Sequence, residues 1–108
     1  MTFKSEIKNE HIIIRLTGDL IGEHDGAGVL GVVSDALQNQ ISKCIIDISN
    51  LRYINSSGIG VLITILTKFR NKGGEVFLLN PSESVKKLLV ITKLNSIFQI
   101  VQSDSEVL

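Results

Sequence analysis

The chain has 108 residues and a mass of 11.8 kDa, enough for one hydrophobic core and too little for two, so a single domain over residues 1–108 is expected. Eleven basic and eleven acidic side chains give a formal net charge of +0, which excludes recruitment of nucleic acid or an anionic membrane by an overall field. Apolar runs such as Ile12–Ile14 and Val61–Ile63 are too short to cross a bilayer, no basic start leads into an apolar signal stretch, and the lone Cys44 has no partner for an internal disulfide. A soluble, cytoplasmic protein without direct membrane insertion is the expectation.

Phe3, Ser5 and Ile7 alternate with Lys4, Glu6 and Lys8, the period of a half-buried strand. Asn9 and Glu10 suit a tight turn, and the β-branched run in His11 to Leu20 suits a second strand, so the opening unit is a hairpin. Gly22, Gly26, Gly28 and Gly31 each cost a helix about 1 kcal/mol relative to alanine. Even so, Leu30, Val33, Leu37 and Ile41 recur at helical spacing. The pattern predicts a mobile loop from Ile21 to about Gly26 and a helix from about Ala27 to Gln40. The glycines there suit either close approach of another backbone or plain flexibility.

Lys43 to Ser49 carries Cys44, Ile45, Ile46 and Ile48 without alternation, as a central strand buried on both faces would. A turn is expected over Asn50 to Asn55, then a helix from Ser57 to Lys72 with Ile59, Leu62, Ile63, Leu66 and Phe69 on its apolar face. Gly73-Gly74 ends it. A strand at Glu75 to Leu79 precedes Asn80-Pro81-Ser82-Glu83, where Asn80 is the expected N-cap with proline at the first helical position. That helix ends near Thr92. A fifth strand at Ile97 to Val101 and a capping-box spacing in Ser103–Glu106 close the chain. The order β-β-α-β-α-β-α-β implies an α/β domain with a mainly parallel central sheet of about five strands, an N-terminal hairpin, and helices packed on it.

The chemically distinctive stretch is Asp47 to Gly60, DISNLRYINSSGIG, which puts Asn55, Ser56 and Ser57 at the start of a helix. Free N–H groups and the positive end of the dipole suit a polar or anionic group there. Taken alone, the two serines suit helix capping at least as well as a switch. An enzyme finds little support, so no catalytic residue is assigned. Neither serine has a glycine two positions before it, so the nucleophile elbow is missing. The two histidines, His11 and His24, lie elsewhere in the chain, and no phosphate loop or metal-ligand spacing is present, so no cofactor or metal is expected. Cys44 is expected to be a small buried hydrophobe.

The sequence resembles the STAS domain family, most closely the small stand-alone anti-sigma factor antagonists. The resemblance rests on Leu16–Leu20 (LTGDL), Asp47–Leu51 (DISNL), Ile54–Leu62 (INSSGIGVL) and Gly73–Glu75 (GGE), and it covers almost the whole chain. It implies a STAS-type fold and a protein-binding switch in place of an enzyme. The resemblance also implies that the hydroxyl immediately before the glycine, here Ser57, is the one phosphorylated, and that Asn55, Ser56, Gly58, Ile59 and Gly60 are partner contacts, with Ile59 equally placed to join the core. The implied partners are an anti-sigma factor that is also a serine kinase with a histidine-kinase-like ATPase fold, and a PP2C-type phosphatase that reverses the mark; capture of the kinase frees a sigma factor. The alternative is a non-switching STAS subunit of a lipid-transport ABC complex or of a signalling scaffold. Two departures stand out: many relatives have aspartate at Asn55, and an acidic residue often occupies the place of Ile21.

Overall fold

The chain first reverses at Asn9 and Glu10, whose φ values of 52° and 64° are what a two-residue type I′ hairpin turn demands. The turn joins β1 (Thr2–Lys8) to β2 (His11–Leu20) as an antiparallel pair with Lys8 opposite His11. In this computed structural model residues 1–21 and 23–108 are described, without the side chains of Glu23, His24, Asp25 and Asp104. The strands are completed by β3 (Lys43–Ile54), β4 (Glu75–Leu79) and β5 (Gln99–Val101), and the helices are α1 (Glu23–Gln38), α2 (Ser56–Arg70) and α3 (Glu83–Ile91). The sheet order is β1-β2-β3-β4-β5, with every pair from β2 to β5 parallel. This is the expected α/β architecture.

Strand alternation sorts the core into two parts. Ile12, Ile14, Cys44, Ile46, Val76 and Leu78 share one cluster with Val33 of α1, Leu62 of α2 and Leu89 of α3. The intervening residues Ile13, Ile45 and Leu79 form a smaller cluster, against which Phe77, Val101, Val107 and Leu108 pack. Ile45 and Ile46 are both fully buried, as a central strand covered on two faces requires. β1 departs from its alternation: Phe3 is partly buried, but Ile7 is 61% exposed. It is one of the two edge strands, and its exposed lysines and Glu6 discourage further strand addition.

Several boundaries move. α1 begins at Glu23, within the stretch expected to be a mobile loop, and ends at Gln38; Gly22 of that stretch lies outside the described residues. A Cβ on Gly26 would sit 2.5 Å from Val61 Cγ2, so the glycine that lowers helix propensity is what lets α1 lie close on α2. The buried face of α1 is Val29, Val33 and Ala36, with Leu30, Leu37 and Ile41 only partly buried. Likewise α2 buries Gly58, Val61, Leu62, Ile65, Leu66 and Phe69; Ile63 is exposed and Ile59 half-buried against the core. Past its end Gly73, at φ 75°, donates to Arg70 O and Gly74 N donates to Phe69 O at 2.8 Å, a Schellman closure.

Ser82, not Asn80, caps α3: its hydroxyl accepts from Val85 N, while Asn80 sits at φ 50° and donates its N–H to Val101 O at 2.8 Å. The left-handed backbone of Asn80 is not the extended conformation of a cap, which Ser82 adopts instead. β5 is two residues shorter than expected because Ile97 N and Phe98 N both donate back to Leu94 O, extending the turn that follows the 3₁₀ segment Leu94–Ser96. The C-terminal turn forms, with the Glu106 carboxylate accepting from Ser103 N at 2.9 Å.

Candidate functional site

The turn expected over Asn50 to Asn55 is strand almost to its end. β3 continues to Ile54 because β2 keeps pairing with it, Thr17 opposite Asn50 and Leu20 opposite Ile54, through two register irregularities. Leu51 and Ile54 point inward while Arg52 and Tyr53 stay exposed, Tyr53 at 56%. The strand therefore delivers α2 directly, with Asn55 as the one linking residue.

Asn55 is the N-cap. Its backbone is extended (φ −97°, ψ −176°), and its Oδ1 accepts from Gly58 N at 2.9 Å. Its own N–H reaches Leu20 O at 3.3 Å, and its carbonyl accepts from Ile59 N at 2.9 Å. Ser56 is thereby displaced from the capping role that serines in this stretch suggest: it is the first residue inside the helix, and its side chain is exposed. Ser57 comes next, also exposed, and its hydroxyl has no hydrogen-bond partner among the described residues. Gly58 is buried; a Cβ there would meet Leu20 O at 2.2 Å and Ile54 Cγ2 at 2.9 Å, so only glycine lets α2 start this close to the end of β2. Gly60 is exposed, with open space where a Cβ would stand.

Ser57 and Gly60 line a groove of about 460 Å³ together with Ala27 and Leu30 of α1 and Val61 and Thr64 of α2. Of these groove residues the sequence singles out only Ser57 and Gly60. Those from α1 become visible once α1 and α2 are known to touch, and the glycine at position 26 was the available signal. No acidic residue lies in the first turn of α2, so the positive helix start has no carboxylate of its own there.

The other titratable candidates are not brought to this site. His11 is buried at the beginning of β2, opposite Lys43 at the beginning of β3, whereas Ser57 lies past the far end of β3; the His11 Nδ1 is 2.7 Å from Asn9 O. The side chain of His24 lies outside those described. Cys44 is fully buried, and burial drives its thiol pKa far above the ordinary value, which makes it the inert hydrophobe expected of that strand. Among the described residues no three His, Cys, Asp or Glu side chains could together hold a metal ion, and no helix is long and apolar enough to cross a membrane.

Comparison with known proteins places this arrangement. Residues 2–107 match the STAS domain. The chain belongs to the STAS domain family. A relative from Paenibacillus polymyxa named anti-sigma F factor antagonist is 29% identical over 104 residues, covering 92% of this chain and 88% of that protein. The structure of TM1081 from Thermotoga maritima, at 27% identity, superposes with a TM-score of 0.85 over 96% of this chain and 89% of that one. The anti-sigma factor antagonist SpoIIAA, 24% identical, shares the fold in both its unphosphorylated and phosphorylated forms, with TM-scores of 0.75 and 0.76. Those two superpositions cover 97% and 98% of this chain and 92% and 96% of the SpoIIAA chains.

Proposed function

We propose that this STAS chain is an anti-sigma factor antagonist that acts as a phosphorylation-controlled binding switch, with Ser57 as the acceptor. Unphosphorylated, it captures an anti-sigma factor that is also a serine kinase with a histidine-kinase-like ATPase fold, and so frees a sigma factor. Phosphorylated on Ser57, it lets that partner go, and a PP2C-type phosphatase restores it. The supporting observation is the exposed Ser57 hydroxyl at the start of α2, without a hydrogen-bond partner among the described residues, on a groove shared with α1. Asn55 and Gly58 hold the turn; Ser56, Ser57, Ile59 and Gly60 provide the contact surface.

Phosphate adds about 1.5 to 2 negative charges. The free end of α2 favours such charge by about 0.3 to 1 kcal/mol, so the fold tolerates the mark. Burying the same group uncompensated against a partner costs several kcal/mol. A hundredfold loss of affinity needs only about 2.8 kcal/mol, so the larger consequence falls on binding.

The test is purification of the chain from its native cell with its partners, followed by phosphosite mapping. An ATP-binding anti-sigma kinase recovered with the unphosphorylated form, and phosphate on Ser57, are expected. Phosphate confined to Ser56 would contradict the assignment, and stable recovery of an ATP-binding cassette subunit whatever the phosphorylation would favour the non-switching alternative.

A further inference from the structure

The C-terminal end of α3 carries apolar surface that the fold does not use. α3 buries Val85 and Leu89, yet Val90 is 59% and Ile91 78% exposed. Both line an open groove of about 470 Å³ with Asn95 and Ile100, edged by Lys86 and Lys87. Lys93 comes two residues after Ile91 in the chain, at φ 61°. The charge here is one-sided: Lys86 reaches Glu83 at 3.7 Å, while neither Lys87 nor Lys93 has a carboxylate within ion-pair distance among the described residues. In a chain of net charge +0 this is a local excess of positive charge around an aliphatic floor.

The groove is remote from Ser57. Arg70, the last residue of α2, donates from Nη2 to Ile97 O at 2.9 Å, so the segment between α3 and β5 lies at the end of α2, whereas Ser57 lies at its start. Fifteen helical residues separate those ends by about 20 Å.

We infer that this groove is a docking surface for an acidic amphipathic helix of a partner protein, with aliphatic side chains on Val90, Ile91 and Ile100 and carboxylates meeting Lys86, Lys87 and Lys93. Charge complementarity selects this occupant. A second copy of the same face would set lysines against lysines in a two-fold pair. An anionic bilayer would be held by these three lysines alone, about 1 kcal/mol each, with no further attraction from a chain of net charge +0. A partner held here leaves the α1–α2 groove free, so both surfaces can be engaged at once.

The test is selection of phage-displayed random peptides of about 14 residues, long enough for about four helical turns, on the full chain. The Val90→Glu, Ile91→Glu double variant serves as counter-target; both positions are exposed, and Lys87→Glu provides a second variant that leaves the apolar residues intact. Winning peptides are expected to space aliphatic residues three and four apart among aspartates and glutamates, and to bind wild type at least about tenfold more tightly than either variant. Synthetic copies should weaken as salt rises and shift amide resonances of residues 86–100, equally in the Ser57→Asp chain. No enrichment over the variants, winners that are basic or uncharged, or shifts centred on α1 and α2 would overturn the proposal. So would binding to phosphatidylcholine vesicles containing about one third phosphatidylserine, or dimerisation, if the double variant abolished either one.

Discussion

At the start of α2 the Asn55 side chain accepts from Gly58 N at 2.9 Å, and at the start of α3 the Ser82 hydroxyl accepts from Val85 N at 3.4 Å, so each helix is capped by a polar group three residues back. The first helical turns differ in charge. α3 places Glu83 there, supplying the negative charge its dipole favours, with Lys86 beside it. α2 has no acid in its first turn and instead exposes Ser56 and Ser57. One helix start is electrostatically complete; the other is held rigidly by its neighbours and left open to a negative charge. That combination suits the proposed phosphorylation of Ser57, which the fold would accept without refolding.

The largest expected effect separates rigidity from exposure. Gly58→Ala should cost about 2 to 3 kcal/mol, measured by urea unfolding, because its Cβ collides with the Leu20 carbonyl. Gly60→Ala, two residues on in open space, should gain up to about 1 kcal/mol from helix propensity. A similar cost at both positions would mean that α2 is not wedged against β2. Next come the caps. Asn55→Ala should lose about 1 kcal/mol and Ser82→Ala about half as much, since its hydrogen bond is longer; equal losses would erase the difference in how firmly the two starts are held. The smallest effects address charge. Asn55→Asp and Ser57→Asp should each leave the melting temperature unchanged or raised, by up to about 1 kcal/mol in stability, whereas Glu83→Gln should lower it by about 0.3 to 1 kcal/mol. Destabilisation by either aspartate would show that the start of α2 does not welcome negative charge.

The same two helix starts mark where the sequence was legible. Hydrophobic run lengths and the alternation of strand with helix were enough for the sheet and its mainly parallel character, because each run buries a face whatever its exact ends. Helix ends were harder, since they are decided by partners far away in sequence. Asn80 looks like a cap, but its backbone at φ 50° is not the extended conformation a cap takes, and the cap is Ser82. Asn50 to Ile54 looks like a turn because Asn50, Arg52 and Tyr53 face outward, but β2 supplies pairing that a local pattern does not reveal. The N-terminal half of α1 was hidden by glycines whose value lies in contact with α2, as Gly26 against Val61 shows. At the site itself, the exposed position of Ser57 is implicit in the strand-turn-helix pattern. The division of labour between Asn55 as cap and Ser56 as first helical residue required coordinates.

The most direct test of the proposed switch is the affinity of the purified chain for the proposed anti-sigma kinase, measured with Ser57 unphosphorylated and fully phosphorylated, alongside the melting temperature of each form. The account predicts at least about a hundredfold weaker binding after phosphorylation, about 2.8 kcal/mol, with the melting temperature unchanged or slightly raised. Equal affinities, or a loss of binding that merely tracks a loss of folding, would contradict it.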